Sequence, residues 1–379
     1  MQQIDILIIG GGPSGISTAL HLIQSSTDFT SRILVLEKAH YPRPKLCGGA
    51  LVEDAEILLE KLGLDVNEVS SVIAKTLDLN FKGKGIHYTQ RRGHALRIIQ
   101  RDEFDAWLAK KAREKGISIR EGIRVLDLQI EEDYVIVHTN EGDIHAKVVV
   151  GADGSNGITR QKVFPNLSGN KARLLEVPTP NTDQNRDSKA FFEFLPVTQG
   201  IAGYIWDFPT QVDGQLIRSW GIYDANLFPD AHRPSLKDIL FTEMKNQGWN
   251  PDTFELKSHP IRWFSPLDPF FVKRVLLVGD AAGADPLFGE GISIALGYGK
   301  VAAGAIIDAF NHQQFDFTNY KRHLRISSLG KILTTRWIIA QIIYTINWSW
   351  FHFLLWRFIK PITLLVARLF VLNWGKRLK

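Results

Sequence analysis

The chain begins with an apolar run, "IDILII" at Ile4–Ile9, broken only by Asp5 and followed at once by Gly10, Gly11 and Gly12. A short apolar run that stops at glycine reads as a buried strand. Behind the glycines, Ile16, Ala19, Leu20 and Ile23 recur every three or four residues, the spacing of one helical face. "RILVLEK" then predicts a second strand, and "RDEFDAWLAKKAREKGISI" a helix followed by another. "AKVVVGADGSNGITR" predicts a strand with a turn at Asp153-Gly154. "KRVLLVGDAAGADPLFGEGISIALGYGKVAAGAIIDAF" predicts a strand, a loop through Pro286 and a long helix from about Gly291. Between Lys162 and Arg262 the texture changes to short alternating strands, as in "KAFFEFLP", "GYIWDFPT" and "LIRSWGIYD". "AKTLDLNFKG", "GIHYTQRR" and "HALRIIQ", before Arg101, are expected to join that second sheet.

The first glycine turn carries chemistry. Gly10-x-Gly12-x-x-Gly15 lies between a strand and a helix. The first glycine permits a tight turn, the second lets backbone approach a pyrophosphate, and the third lets helix and strand pack closely. The helix start offers free N–H groups to phosphates. Glu37 closes the second strand, where a carboxylate can bind a ribose hydroxyl pair. This is an α/β chain with a Rossmann-type dinucleotide domain.

Composition narrows the picture. Hydrophobic content of 45% with 22% charged residues describes a folded globular protein. One cysteine excludes an intrachain disulfide and a multi-cysteine metal site. The eleven histidines form no metal-ligand cluster, so no metal is expected. There is no Gly-x-Ser-x-Gly elbow and no Gly-Lys-Ser/Thr phosphate loop. The strand starts so near Met1 that no signal peptide is expected.

The net charge of +5 hides an asymmetry: Phe317 to Lys379 holds eleven Lys or Arg residues and no Asp or Glu. An uncharged apolar run follows Arg336, Pro361 interrupts, and a second run carries Arg368. Five of the ten tryptophans lie beyond residue 330. Apolar helices flanked by tryptophan and basic residues suit a membrane interface. In-plane or re-entrant helices are expected; spanning helices, or helices that close a pocket, are the alternatives. Nucleic acid is not expected as a partner, because the basic residues are interleaved with aliphatic runs.

The order of these segments resembles the FAD-dependent oxidoreductases of the aromatic-hydroxylase-like superfamily. Two motifs sharpen the resemblance: Lys45-x-Cys47-Gly48-Gly49 after the second strand, and Tyr204-x-Trp206-x-Phe208-Pro209 in the inserted sheet. Together they look like the geranylgeranyl reductase family, flavoproteins that saturate isoprenoid double bonds in archaeal lipids, chlorophyll side chains or quinone tails. The family pattern carries a proline three residues before the tyrosine, where this chain has Ile201. The resemblance implies FAD held by Gly10, Gly12, Pro13, Ser14, Gly15, Glu37, Lys38, Arg101, Val125, Asp153, Gly154, Asp280, Gly289, Gly291 and Ile292. Asp280 would bind the ribityl chain. The helix beginning at Gly291 would aim its positive end at the flavin, where reduction places negative charge.

The same resemblance puts Lys45, Cys47, Gly48 and Gly49 at the reaction centre. Hydride delivery to an isolated alkene leaves a second carbon needing a proton, and Cys47 is a candidate donor. A small packing residue is the alternative reading of that thiol. Tyr204, Trp206 and Phe208 alternate onto one face of a strand, as a substrate wall or as plain sheet core. The expected organisation is an FAD-binding domain from 1–74, 101–161 and 263–316, an inserted mixed or antiparallel β-sheet substrate domain from 75–100 and 162–262, and a hydrophobic helical tail at 317–379. The expected protein is an isoprenoid reductase on the cytoplasmic face of a membrane, peripheral or monotopic. No second glycine motif follows a strand, so NAD(P)H or a ferredoxin-like protein would bring electrons from outside. A flavin monooxygenase, epoxidase or halogenase, or a carrier of electrons to quinone, would share the FAD motifs.

Overall fold

The computed structural model describes residues 2–90, 93–167, 170–228, 234–370 and 373–377, with side chains for all of these but 367–370. Arg91, Arg92 and the Arg368 side chain lie outside the described set. Strand β1 (Gln2–Ile9) lies inside an eight-stranded sheet. It runs parallel to Gly142–Gly151 on one side and to β2 (Ile33–Leu36) on the other. Ser118–Arg120 and Val275–Leu277 extend the parallel part, and a hairpin of Val125–Ile130 and Val135–Thr139 joins it antiparallel. Ile6, Leu7 and Ile8 are fully buried, as expected of a parallel strand covered on both faces. Helix α1 (Pro13–Ser25) packs against the long helix Ile292–His312. A Cβ at Gly299 would come within 2.3 Å of the Ser17 hydroxyl, so the two helices meet backbone to backbone.

The inserted sheet has seven strands in the order Lys257–Arg262, Lys171–Pro180, Gln215–Asp224, Gly203–Val212, Lys189–Glu193, Thr76–Phe81 and Lys84–Thr89. All pairs are antiparallel except Lys189–Glu193 with Thr76–Phe81. One face packs Ile201, Ile205 and Ile222 under helix Leu236–Asn246, through Leu240, Phe241 and Met244. The opposite face carries Tyr204, Trp206 and Phe208.

Leu96–Ile99 departs from expectation. It pairs with Ser71–Ala74 and Ala50–Leu51 in a separate three-stranded sheet. The reason is local: Ile99 N–H donates to Gly49 O at 3.0 Å, while helix Arg101–Glu114 begins two residues later. That strand therefore ties the cysteine segment to the first domain.

The tail folds back onto the body as helices Ser328–Thr345 and Ser349–Phe353, a wider turn at Leu354–Phe358, and helix Lys360–Phe370. Leu329, Ile332 and Leu333 enter the main core, and Ala340, Tyr344 and Trp356 pack with the aromatic face of the inserted sheet. Trp374 is 1% exposed, and a Cβ at Gly297 of the long helix would lie 2.6 Å from its ring. Gly375 N–H then donates to Asp54 Oδ1 at 2.8 Å. Among the described residues, only Ile292–His312 is long and apolar enough to cross a membrane, and it is mostly buried against α1 and the core.

Candidate active site

One continuous cavity of about 2020 Å³ runs between the two large sheets. At one end Gly10, Gly12, Pro13 and Ser14 line it, with Glu37 and Lys38 from the end of β2. Arg101, Val125, Asp153, Gly154 and Asp280 continue the wall to Gly289, Gly291 and Ile292. Lys45, Cys47, Gly48 and Gly49 stand in the middle, and Tyr204, Trp206 and Phe208 form the far wall. The expected site residues converge on this cavity with one exception. Gly15 does not line it: a Cβ there would sit 2.0 Å from Gly10 O, so this glycine serves strand–helix packing.

The glycine end has the shape of a cradle. Gly10 is in the left-handed region at φ 108° and presses on Ala152 O, which no other residue type tolerates well. A Cβ at Gly12 would have nothing nearer than Arg43 at 3.6 Å, and one at Gly154 nothing within 4 Å, so these backbones face open cavity. Glu37 accepts Gly11 N–H and Ala39 N–H, each at 3.1 Å, which locks its carboxylate at the rim. Asp280 accepts from Ser155 Oγ at 3.3 Å. Asp153 holds Thr159 through its N–H and hydroxyl, while its other oxygen is buried without a partner.

Several members were not legible in the sequence. Arg43 reaches Glu37 at 3.2 Å and Asp105 at 3.1 Å, and Asp105 takes the Arg101 guanidinium in a two-pronged bond with both distances 3.0 Å. The available signal was the Arg101–Asp105 spacing of four on a helix. The Cys47 sulfur receives Gly49 N–H at 3.4 Å and lies close enough to the Arg101 guanidinium to feel its charge. His259 comes from the inserted sheet, and Lys45 Nζ donates to its Nε2 at 2.6 Å. No sequence signal links those two. Burial pulls Lys45 below the ordinary lysine range, against the opposing pull of Asp280. Burial and then the Lys45 charge pull His259 down to about 4. At neutral pH the His259 ring is therefore uncharged and can accept a proton from Lys45 through Nε2.

The aromatic wall is both sheet core and cavity lining. Phe192 stands 5.3 Å from Tyr204 and 5.1 Å from Phe208 between ring centroids, within the range of favourable aromatic pairs. Trp206 lies over Gly221, where a Cβ would be 2.0 Å from the indole. A Cβ at Gly48 would stand 3.3 Å from Trp206 Nε1, so the glycine keeps the passage between the cysteine segment and the wall open. Ile339, Ile343, Leu355, Trp356 and Ile359 of the tail complete the apolar half. The cavity thus joins a polar, glycine-edged slot to a long apolar chamber.

The slot suits a dinucleotide with a flat ring system. The FAD binding domain family matches residues 3–297, and the chain belongs to that family. Its cofactor is FAD, and it is an FAD-binding oxidoreductase related to the geranylgeranyl reductases. It is 26% identical to digeranylgeranylglycerophospholipid reductase 2 of Methanosphaera stadtmanae, over 87% of this chain and 85% of that one. It is 24% identical to 1H-pyrrole-2-carbonyl-[peptidyl-carrier protein] chlorinase of Pseudomonas fluorescens, over 86% of this chain and 81% of that one. The crystal structure of a geranylgeranyl bacteriochlorophyll reductase-like protein from Thermoplasma acidophilum superposes with a TM-score of 0.80 at 20% identity, covering 97% of this chain and 96% of that one, which shows a shared fold.

Proposed function

We propose that this protein is a reductase that saturates carbon–carbon double bonds of an isoprenoid chain carried by a lipid, chlorophyll or quinone. The supporting observation is the continuity of the glycine-edged slot with the apolar chamber, with Lys45, Cys47 and His259 at the junction. Gly12 and the start of α1 would receive the pyrophosphate, Glu37 the ribose and Asp280 the ribityl chain. Bound there, FAD would supply the two-electron reducing equivalent. Tyr204, Trp206 and Phe208 would hold the prenyl chain and exclude water. The Lys45–His259 pair and Cys47 are the groups near enough to move a proton.

The tail supports a membrane-resting protein. Of nineteen large exposed apolar side chains among the described residues, eleven lie between Ile326 and Val366. Ile362, Leu364, Leu365 and Val366 belong both to that patch and to the cavity rim, so a chain in a bilayer would have an apolar path inward. The eleven basic residues of 317–379, without an acid, suit anionic headgroups on a cytoplasmic face. NAD(P)H or a ferredoxin-like protein would bring electrons.

The chlorinase relative favours a second reading, oxygen-dependent flavin chemistry on the same frame. Anaerobic incubation of reduced protein with geranylgeranylated lipid separates the two. A gain of two hydrogens per bond by mass spectrometry, without oxygen, supports the reductase. Turnover that requires oxygen overturns it.

A further inference from the structure

The loop Asp285–Gly291 joins the Asp280 turn to the long helix and lines the cavity from Leu287 to Gly291. Inside it Asp285 N–H donates to Glu290 O at 3.2 Å and Gly289 N–H to Asp285 O at 3.1 Å, and it is held from outside as well. Three tyrosine hydroxyls donate to three successive carbonyls: Tyr223 to Pro286 O at 3.0 Å, Tyr344 to Leu287 O, and Tyr204 to Phe288 O at 2.6 Å. Two of these come from the inserted sheet, but Tyr344 comes from the tail.

The tail contributes a second hold. Arg336 Nη1 donates to Asp285 Oδ2 at 3.0 Å and to Glu290 Oε2 at 2.6 Å. Arg336 is 1% exposed and Asp285 fully buried. Asp285 in turn takes Leu287 N–H at 2.8 Å and Phe288 N–H at 3.2 Å, so its carboxylate is the hub that shapes the loop. Glu290 also takes the Ser293 hydroxyl in the first turn of the long helix. Asp54 lies close enough to feel both Arg336 and Glu290. Asp285, Glu290 and Asp54 bring three carboxylates to this loop among the described residues, and Arg336 bonds Asp285 and Glu290. A buried ion pair is poorly screened, so the balance reaches into the cavity.

We propose that Arg336, with Tyr344, is a positioning residue of the flavin site. From the tail it fixes the Asp285–Gly291 loop and balances its carboxylates, so the tail sets how tightly FAD is held and how readily it is reduced. The proposal rests on the FAD assignment and not on the isoprenoid reading. Reduction adds negative charge to the flavin. Uncompensated carboxylates in the loop beside it would oppose that charge, and Arg336 offsets them. The helix start at Gly291 then faces the cavity behind a loop whose anionic charge one guanidinium has reduced.

The test uses full-length protein and reads FAD affinity by fluorescence and the midpoint potential by spectroelectrochemistry. Arg336→Gln should weaken FAD binding tenfold or more. It should also lower the two-electron midpoint by about 30 mV, the equivalent of a tenfold change in the balance of oxidised and reduced forms. Arg336→Lys should return the midpoint toward the parent. Glu290→Gln, which removes a negative charge, should shift it the other way. Tyr344→Phe should weaken FAD binding without moving the midpoint. A folded Arg336→Gln protein with parental affinity and midpoint overturns the proposal. If that variant does not fold, a parental midpoint in Glu290→Gln overturns it equally, because a purely structural role predicts no shift.

Discussion

Lys45 Nζ stands 2.6 Å from His259 Nε2, a contact made across 214 residues of chain. It joins the segment after β2 to the edge strand of the inserted sheet, beside Cys47 and Asp280. On the reductase reading the pair is a candidate proton source that the lone cysteine had overshadowed in the sequence.

Turnover should therefore depend on pH at both ends. Lys45 sits below its ordinary 10.5, so activity should fall on an alkaline limb with a midpoint under that value. Below about 4 His259 gains a proton and can no longer accept from Lys45, so a second loss is expected there. Lys45→Met should abolish the alkaline limb and slow alkene reduction by about 10²–10⁴, the usual cost of removing a general acid. Cys47→Ala should slow alkene reduction by a similar factor if the thiol is the donor, and should leave the Lys45 limb in place. Rate–pH profiles of the two variants decide between them.

Gly48→Ala should leave FAD bound and obstruct long substrates. The added methyl would stand 3.3 Å from Trp206 Nε1 and 3.4 Å from the Phe208 ring, so the wall must give by a few tenths of an ångström. Overpacking of this kind costs about 1–3 kcal/mol. A roughly tenfold loss in kcat/KM for long prenyl chains, with less for short ones, is the expected result. Equal losses at all chain lengths would place the obstruction elsewhere.

Glu176 should make stability depend on pH. Burial pushes its carboxyl up from 4.5 to about 7, and one of its oxygens is buried without a partner. The folded state therefore binds this proton more tightly than the unfolded chain. Its contribution is full below about 4.5 and is lost as pH rises through about 7. Glu176→Gln should remove that loss, worth on the order of 3 kcal/mol at most. Urea unfolding should show the variant gaining on the parent at pH 8 and not at pH 4.

The body should not survive without its tail. Removing the chain after Gly330 should leave a colourless and insoluble protein, since Leu333 and Trp374 leave the core and Arg336 leaves its two carboxylates. Membrane binding is better tested at Trp348 and Trp350, 59% and 62% exposed and stacked on each other. Replacing both with serine should preserve bound FAD. It should weaken liposome association by about 1.5 kcal/mol for each ring withdrawn from the lipid boundary. Undiminished flotation with liposomes would count against the membrane reading.

Local rules made the dinucleotide end legible. Gly10, Gly12, Gly15 and Glu37 are recognisable because strand, turn and helix follow one another within forty residues, and each glycine answers a backbone demand. The same rules put Tyr204, Trp206 and Phe208 on one face, because strand side chains alternate. What they could not reach was partnership at long range. Arg336 read as one of many basic residues in an apolar tail, and only folding sets it between Asp285 and Glu290. His259 meets Lys45 only when the inserted sheet closes over the first domain. Leu96–Ile99 has strand character, but its sheet was decided by the Gly49 backbone it must satisfy. The sequence by itself determined which segments become strands and helices and where a phosphate cradle forms, since those depend on neighbours along the chain. Tertiary structure alone decided that the tail is a wall of the cavity, because burying its apolar face and pairing Arg336 require surfaces brought together from opposite ends of the protein.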